Sequence, residues 1–191
     1  MRWSALAWVL LLGTAAVVHG TEQPLVIDRA QSRVEADVKA TMDSFTGRLQ
    51  GYTATITVDP TAQQVDSAVF AFRFADFETG KAKRDARMLE WEDATRHPEV
   101  TFRLDRLQAG ARGRIEAHGE FTFHGVTRPL VFPIEVNTDG QLYAIDGQVA
   151  IDTRDYGLPI IRVMAFLKVD PVVTVHFHLQ GHVAKAGAAP S

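Results

Sequence analysis

The stretch Arg114-Ile-Glu-Ala-His-Gly-Glu-Phe-Thr-Phe123 decides the fold. Ile115, Ala117, Gly119, Phe121 and Phe123 alternate with Arg114, Glu116, His118, Glu120 and Thr122. Period two is the signature of a strand with one dry face and one wet face. His124-Gly125 follows, with Gly125 free to take positive φ, and a second alternating run begins at Val126. A short reversal between two strands is therefore expected at His124.

The same rhythm extends in both directions. Upstream, Val34, Ala36, Val38 and Ala40 alternate with Arg33, Glu35, Asp37 and Lys39, and Tyr52, Ala54, Ile56 and Val58 alternate with threonines. Ala68, Phe70, Phe72 and Phe74 share one face of a third run, and residues 100–104 form a fourth. Downstream, strands are expected over 126–136, 141–151 and 172–183, separated by turn-forming Thr138-Asp-Gly140 and by residues 153–157. Only residues 81–91 break the pattern. Ala82, Ala86 and Leu89 recur there at helical spacing, and Pro98 stands just beyond as a stop. About eight antiparallel strands with one short helix imply an all-β barrel or sandwich, because closure removes exposed sheet edges.

Composition narrows the function. Cysteine is absent, so disulfides, thiolate metal sites and thiol nucleophiles are excluded. Residues 5–18 are almost wholly apolar after Arg2, and Val18-His19-Gly20 has the small-residue character of a cleavage site. Residues 1–20 are thus expected to be a secretory signal peptide, the apolar run being shorter than the roughly 20 residues that span a bilayer. The expected destination is the periplasm of a bacterium. The remaining 171 residues carry 19 Lys+Arg against 23 Asp+Glu, a formal charge of −4 with no basic stripe, which argues against nucleic acid. Residues 21–184 are expected to form a single domain, with no later transmembrane segment, and 185–191 a loose tail.

Chemical motifs are sparse. His176, His178 and His182 place imidazoles on one strand face, but Thr174 and Gln180 share it and no carboxylate follows, so no metal site is assigned. A general-base role for His124 would need a nucleophile or an orienting acid beside it. Serine-hydrolase, zinc-protease and phosphate-loop patterns are all missing. No catalytic residue and no cofactor are assigned. Arg84-Asp85 and Arg154-Asp155 are read as ion pairs fixing the helix and a late loop.

At Phe121-Thr-Phe-His-Gly-Val-Thr-Arg-Pro129 the chain resembles the L-T-x-H-G-V-T-R/K-P signature of the YceI-like family of polyisoprenoid-binding proteins. Five further landmarks agree in order. They are Ile27-Asp28 with Ser32 and Val34, Phe45-Thr-Gly-Arg48, Thr79-Gly80 with Arg84-Asp85, Pro98-Glu-Val-Thr-Phe102, and Arg154-Asp-Tyr-Gly157. The resemblance runs from about residue 25 to 183. It departs at Arg87, where the family has histidine, and over 158–170.

The resemblance implies a lipocalin-like antiparallel β-barrel that holds a long isoprenoid, such as a polyprenyl or quinone tail, for transport, storage or protection, without catalysis. The expected apolar lining is Phe45, Phe70, Phe72, Phe74, Met88, Leu89, Trp91, Phe102, Phe121 and Phe123. Arg48, Arg84 and Arg87 are the expected contacts of a head group left at the mouth. Periodicity alone leaves open whether those rings fill the interior or line a tunnel, since an eight-stranded barrel is just wide enough for either. A packed barrel docking a membrane or redox partner is the rival reading, and an enzyme acting on a lipid head group near His124 a more distant one. A homodimer is left open. So is the conformation of residues 158–167, whose apolar side chains suit a strand, a helix or a flap.

Overall fold

The computed structural model describes residues 22–111, 114–163 and 167–184. The expected signal peptide, the expected tail, Met164 and Phe166 lie outside the described residues. Twelve strand segments run in chain order: β1 (Gln23–Ile27), β2 (Arg33–Ala40), β3 (Phe45–Leu49), β4 (Thr53–Asp59), β5 (Gln64–Arg73), β6 (Phe77–Glu78), β7 (Glu99–Ala109), β8 (Ile115–Phe123), β9 (Val126–Thr138), β10 (Leu142–Asp152), β11 (Arg162–Val163) and β12 (Leu167–Val183). One helix, α1 (Ala82–Glu92), lies between β6 and β7.

These segments make eight staves of a closed antiparallel barrel. β1 and β2 are one stave bent at 28–32, since both pair with β12: Leu25 opposite Val183, and Val38 opposite Val173. The side chain of Asp28 sets the bend, accepting the N–H groups of Ala30 at 2.9 Å and Gln31 at 3.3 Å. β3 and β4 form the second stave, and β5 with β6 the third, interrupted by a single 3-10 turn at Phe74–Asp76. β7, β8, β9, β10 and β12 follow in order, each paired with its neighbour. The contact of β1 with both β4 and β12 closes the ring. The barrel of the sequence reading is the fold observed, and the sandwich is not.

Local chemistry accounts for the details. His124 and Gly125 have φ of 49° and 70°, a two-residue reversal with both central residues left-handed, joining Phe123 directly to Val126. Asp93, at φ 56°, ends α1, its N–H returning to the Glu90 carbonyl. Pro171 interrupts β12, whose register against β2 shifts between Val169 and Val173, because proline has no N–H to donate. Among the described residues no helix is long and apolar enough to cross a membrane.

The hairpin reversals fall at two ends. One end carries the 41–44 turn, α1, His124-Gly125 and the 153–163 segment. The other carries the 60–63 and 139–141 turns. The best-packed side chains, Val58 and Tyr143 at 0% exposure, belong to a core that also takes in Leu25, Ile56 and Val183 near this second end.

Candidate functional site

The interior is not filled. A cavity of about 910 Å³ opens at the helix end, and a deeper one of about 180 Å³ lies along the barrel axis. Ala36, Phe72, Phe77, Phe121, Ile151 and Val175 line both, so the two share walls. Aliphatic and aromatic side chains make up almost the whole of the deeper lining.

Strand alternation supplies that lining. Phe70 and Phe72 point inward from β5, Phe102 from β7, and Phe121 and Phe123 from β8. Phe70 and Phe102 reach the deeper space, Phe45, Phe74 and Phe123 the mouth, and Phe72 and Phe121 both. Rings also fold flat over glycines of neighbouring staves. At Gly119 an added Cβ would stand 2.6 Å from Phe102 Cζ, so glycine is what lets that ring lie against the wall.

Helix α1 covers part of the mouth. Arg84, Arg87, Met88 and Trp91 follow the 0, 3, 4, 7 spacing of one helical stripe, and all four line the larger cavity. Leu89 lies about 140° round the helix from Arg84. It packs against the core beside Phe74 and Tyr156 instead and lines neither cavity, which corrects its assignment to the lining.

Contacts at both ends fix the helix over the opening. Trp91 Nε1 donates to the Pro159 carbonyl at 2.8 Å. Arg84 stacks 3.9 Å over the Phe45 ring while donating to Asp43 Oδ2 at 2.7 Å, and Lys81 reaches the same oxygen at 3.1 Å. The hydrogen bond and positive charge of Lys81, helped by Arg84, hold the Asp43 carboxyl below its usual range. Asp85 pairs with neither arginine. It accepts the N–H and O–H of Thr79, at 3.0 and 2.6 Å, and Arg154 pairs with Asp152.

Arg48 is not at the mouth. Phe45, Gly47 and Leu49 turn inward from β3, so Arg48 points out, opposite Glu35, and its guanidinium meets that carboxylate at 2.6 Å. Residues 158–161 form an irregular flap along the mouth, with Pro159, Ile160 and Ile161 against the cavity, and Arg162 pairs with Lys168 in a short hairpin.

The histidines sit elsewhere. His176 and His178 face outward, each against one carboxylate of a neighbouring stave: Asp37 at 3.1 Å and Asp146 at 2.7 Å. Among the described residues no group of three or more histidines or carboxylates is arranged to hold a metal ion.

His124 does have an acid beside it, one the sequence reading missed. Its Nδ1 donates to the Glu92 backbone carbonyl at 2.6 Å and lies 3.7 Å from the Glu92 carboxylate, which is fully buried. Burial raises the Glu92 pKa to about 7, against the opposing pull of His124. Glu92 lies four residues after Met88, a spacing that could have marked it as turned toward the barrel. Neither Glu92 nor His124 lines either of these two cavities, and the pair ties α1 to the β8–β9 reversal.

An eight-stranded up-and-down barrel with a long apolar interior and a helix-flanked, basic mouth defines a class of small-ligand barrels. Comparison with known proteins places the chain within it. A YceI-like domain model matches residues 25–181, and the chain belongs to that family. A UPF0312 protein of Vibrio cholerae is 22% identical over 188 residues, covering 91% of this chain and 96% of that protein. Burkholderia cenocepacia BcnA superposes with a TM-score of 0.70 at 22% identity, over 81% of this chain and 99% of that one. A polyisoprenoid binding domain from Saccharophagus degradans, implicated in plant cell wall breakdown, gives a TM-score of 0.66 at 15% identity, over 85% and 99%.

Proposed function

We propose that the protein is a binding protein, not an enzyme, which takes up a long isoprenoid lipid, a polyprenyl or quinone tail, and carries, stores or shields it in the periplasm. The observation that carries this reading is the pair of adjoining cavities, of about 910 and 180 Å³, walled by phenylalanine and aliphatic side chains and open at one end. The larger is at the upper end of the roughly 300–1,000 Å³ usual for ligand sites. The lining asks for few hydrogen bonds, which suits a branched hydrocarbon, and each buried CH₂ contributes about 0.8 kcal/mol. The polyisoprenoid binding domain among the structural relatives supports the same ligand class. Periplasmic location rests on the leader read from residues 1–20. The open interior counts against the packed-barrel alternative.

Trp91 lines the mouth and is the one tryptophan after residue 20, so its fluorescence reports occupancy. Titration with a long-chain polyprenol or quinone is expected to change Trp91 emission saturably at one equivalent. No change, with no displacement of a bound apolar dye, would refute the reading.

A further inference from the structure

The open end of the barrel presents an outer face that nothing in the molecule covers. The whole chain has 20 Lys+Arg against 23 Asp+Glu, yet around this opening stand Lys81, Lys83, Arg84, Arg87, Arg162 and Lys168 against only Asp43 and Asp170 among the described residues. Asp43 is already shared by Lys81 and Arg84, and Asp170 accepts the Val172 N–H at 2.9 Å. Lys83 and Arg87 on α1, and Arg162 and Lys168 on the β11–β12 hairpin, are exposed and have no ion-pair partner among the described residues. Apolar side chains stand on the same rim. Met42, in the turn between β2 and β3, is 76% exposed, the most exposed large hydrophobic residue among those described, and Pro159 is exposed on the flap. One exposed methionine is ordinary; one among unpaired cations, at the edge of an apolar opening, is the pattern of an amphipathic contact surface.

Helix stability does not account for the basic half of this rim. Lys81, Lys83, Arg84 and Arg87 lie toward the N-terminus of α1, and Glu90, Glu92 and Asp93 at its C-terminal end, with no basic residue in the last turn. The helix macrodipole favours the reverse order. The shape of the face selects the partner. A ring of cations around an opening suits a plane of phosphates, which meets each charge without a fixed pattern. A stable protein partner needs a well-packed interface of about 1,200 Å² or more, and the centre of this face is a hole.

We infer that the open end of the barrel docks on an anionic lipid bilayer, with Lys83, Arg87, Arg162 and Lys168 against the bilayer phosphates and Met42 entering the acyl boundary. Each cation near such a surface adds a screened attraction, and the methionine adds burial of an apolar side chain. The purpose of docking rests on the isoprenoid reading: a tail too apolar for water passes between bilayer and barrel when the opening faces the membrane. The docking contacts themselves need no isoprenoid.

The test is co-sedimentation of the purified protein with vesicles of phosphatidylcholine alone and of equimolar phosphatidylcholine and phosphatidylglycerol, at low and high salt, with no isoprenoid added. The protein is expected on the anionic vesicles and not on the neutral ones, and high salt releases it. K83Q/R87Q/K168Q lowers the anionic partition about a hundredfold, and Met42→Asp about tenfold. R48Q/R103Q/R106Q removes the same charge from exposed positions of the outer wall and keeps the partition. In the parent protein, phosphatidylglycerol brominated on its acyl chains quenches Trp91 at the mouth, a readout that needs no variant. Equal loss in the two triple variants would show that net charge binds and not the rim. Unquenched Trp91 on bound protein would put another face on the membrane. Either result overturns the inference, and absence from both vesicles overturns it too, leaving the rim to an acidic protein surface. Each of these outcomes leaves the isoprenoid reading standing, whereas a barrel that docks but takes up no polyprenol loses that reading and keeps the docking face.

Discussion

The carboxylate of Glu92 lies 3.7 Å from Nδ1 of His124, and neither of its oxygens has a hydrogen-bond partner. His124 Nδ1 instead donates to the backbone carbonyl of the same residue. The titratable groups acting on Glu92 are His124 and Asp93 beside it, and the His97 ring centroid is 4.6 Å from that of His124. A proton therefore satisfies Glu92 better than its neighbours do.

That arrangement sets a pH dependence. Glu92 titrates near 7 when folded and near 4.5 as a free side chain, so the native state holds its proton more tightly than the unfolded state. Stability from this group is fully present below pH 4.5 and is lost as pH rises from there through 7, by roughly 3 kcal/mol. Glu92→Gln is expected to flatten the slope, matching the parent near pH 5 and exceeding it above pH 7. Melting temperature against pH measures it, and a variant that keeps the parent's slope would show that another group is responsible.

Gly119 tests the packing of the lining. A Cβ there would meet the Arg103 backbone oxygen and, at 2.6 Å, the Phe102 ring. Gly119→Ala should cost about 1–3 kcal/mol in denaturant unfolding, since only the ring can yield. A neutral result would mean that both the Phe102 ring and the β7 backbone at Arg103 give way without cost.

Much of this architecture is legible in the sequence, because a barrel wall has one dry and one wet side and writes that difference residue by residue. Phe121 and Phe123 could be placed inward from the alternation of 115–123 alone. Arg48 could have been placed outward by the same rule, since Phe45, Gly47 and Leu49 are the inward set; motif resemblance suggested a mouth position that the pleat forbids. The irregularities are different in kind. The β7–β8 register shifts between Leu104 and Arg106, which lets Leu104 and Leu107 both join the interior, and that depends on the partner strand. The spacing of Glu92 from Met88 could mark its direction, but its complete burial depends on where α1 docks, not on the residues beside it.

Ala36 is 7% exposed and lines both cavities, at the waist between mouth and interior. Ala36→Phe is expected to leave short isoprenoids bound and to weaken long ones by about tenfold or more, since each CH₂ kept in water forfeits about 0.8 kcal/mol. Affinity measured along a series of tail lengths reads this out. Equal loss at every length would mean that the inner space takes no part.

Arg48→Ala should leave ligand affinity unchanged. Its pairing with Glu35 is solvent-exposed, so unfolding free energy should move by less than about 1 kcal/mol. A lipid-affinity loss in this variant would return Arg48 to the site.

The most direct measurement is native mass spectrometry of the protein purified from the cells that make it, followed by organic extraction and identification of the released mass. The expected result is one isoprenoid lipid per barrel, lost on extraction. A clean ligand-free mass that persists after incubation with long-chain quinones, polyprenols and polyprenyl phosphates would contradict a lipid-filled barrel.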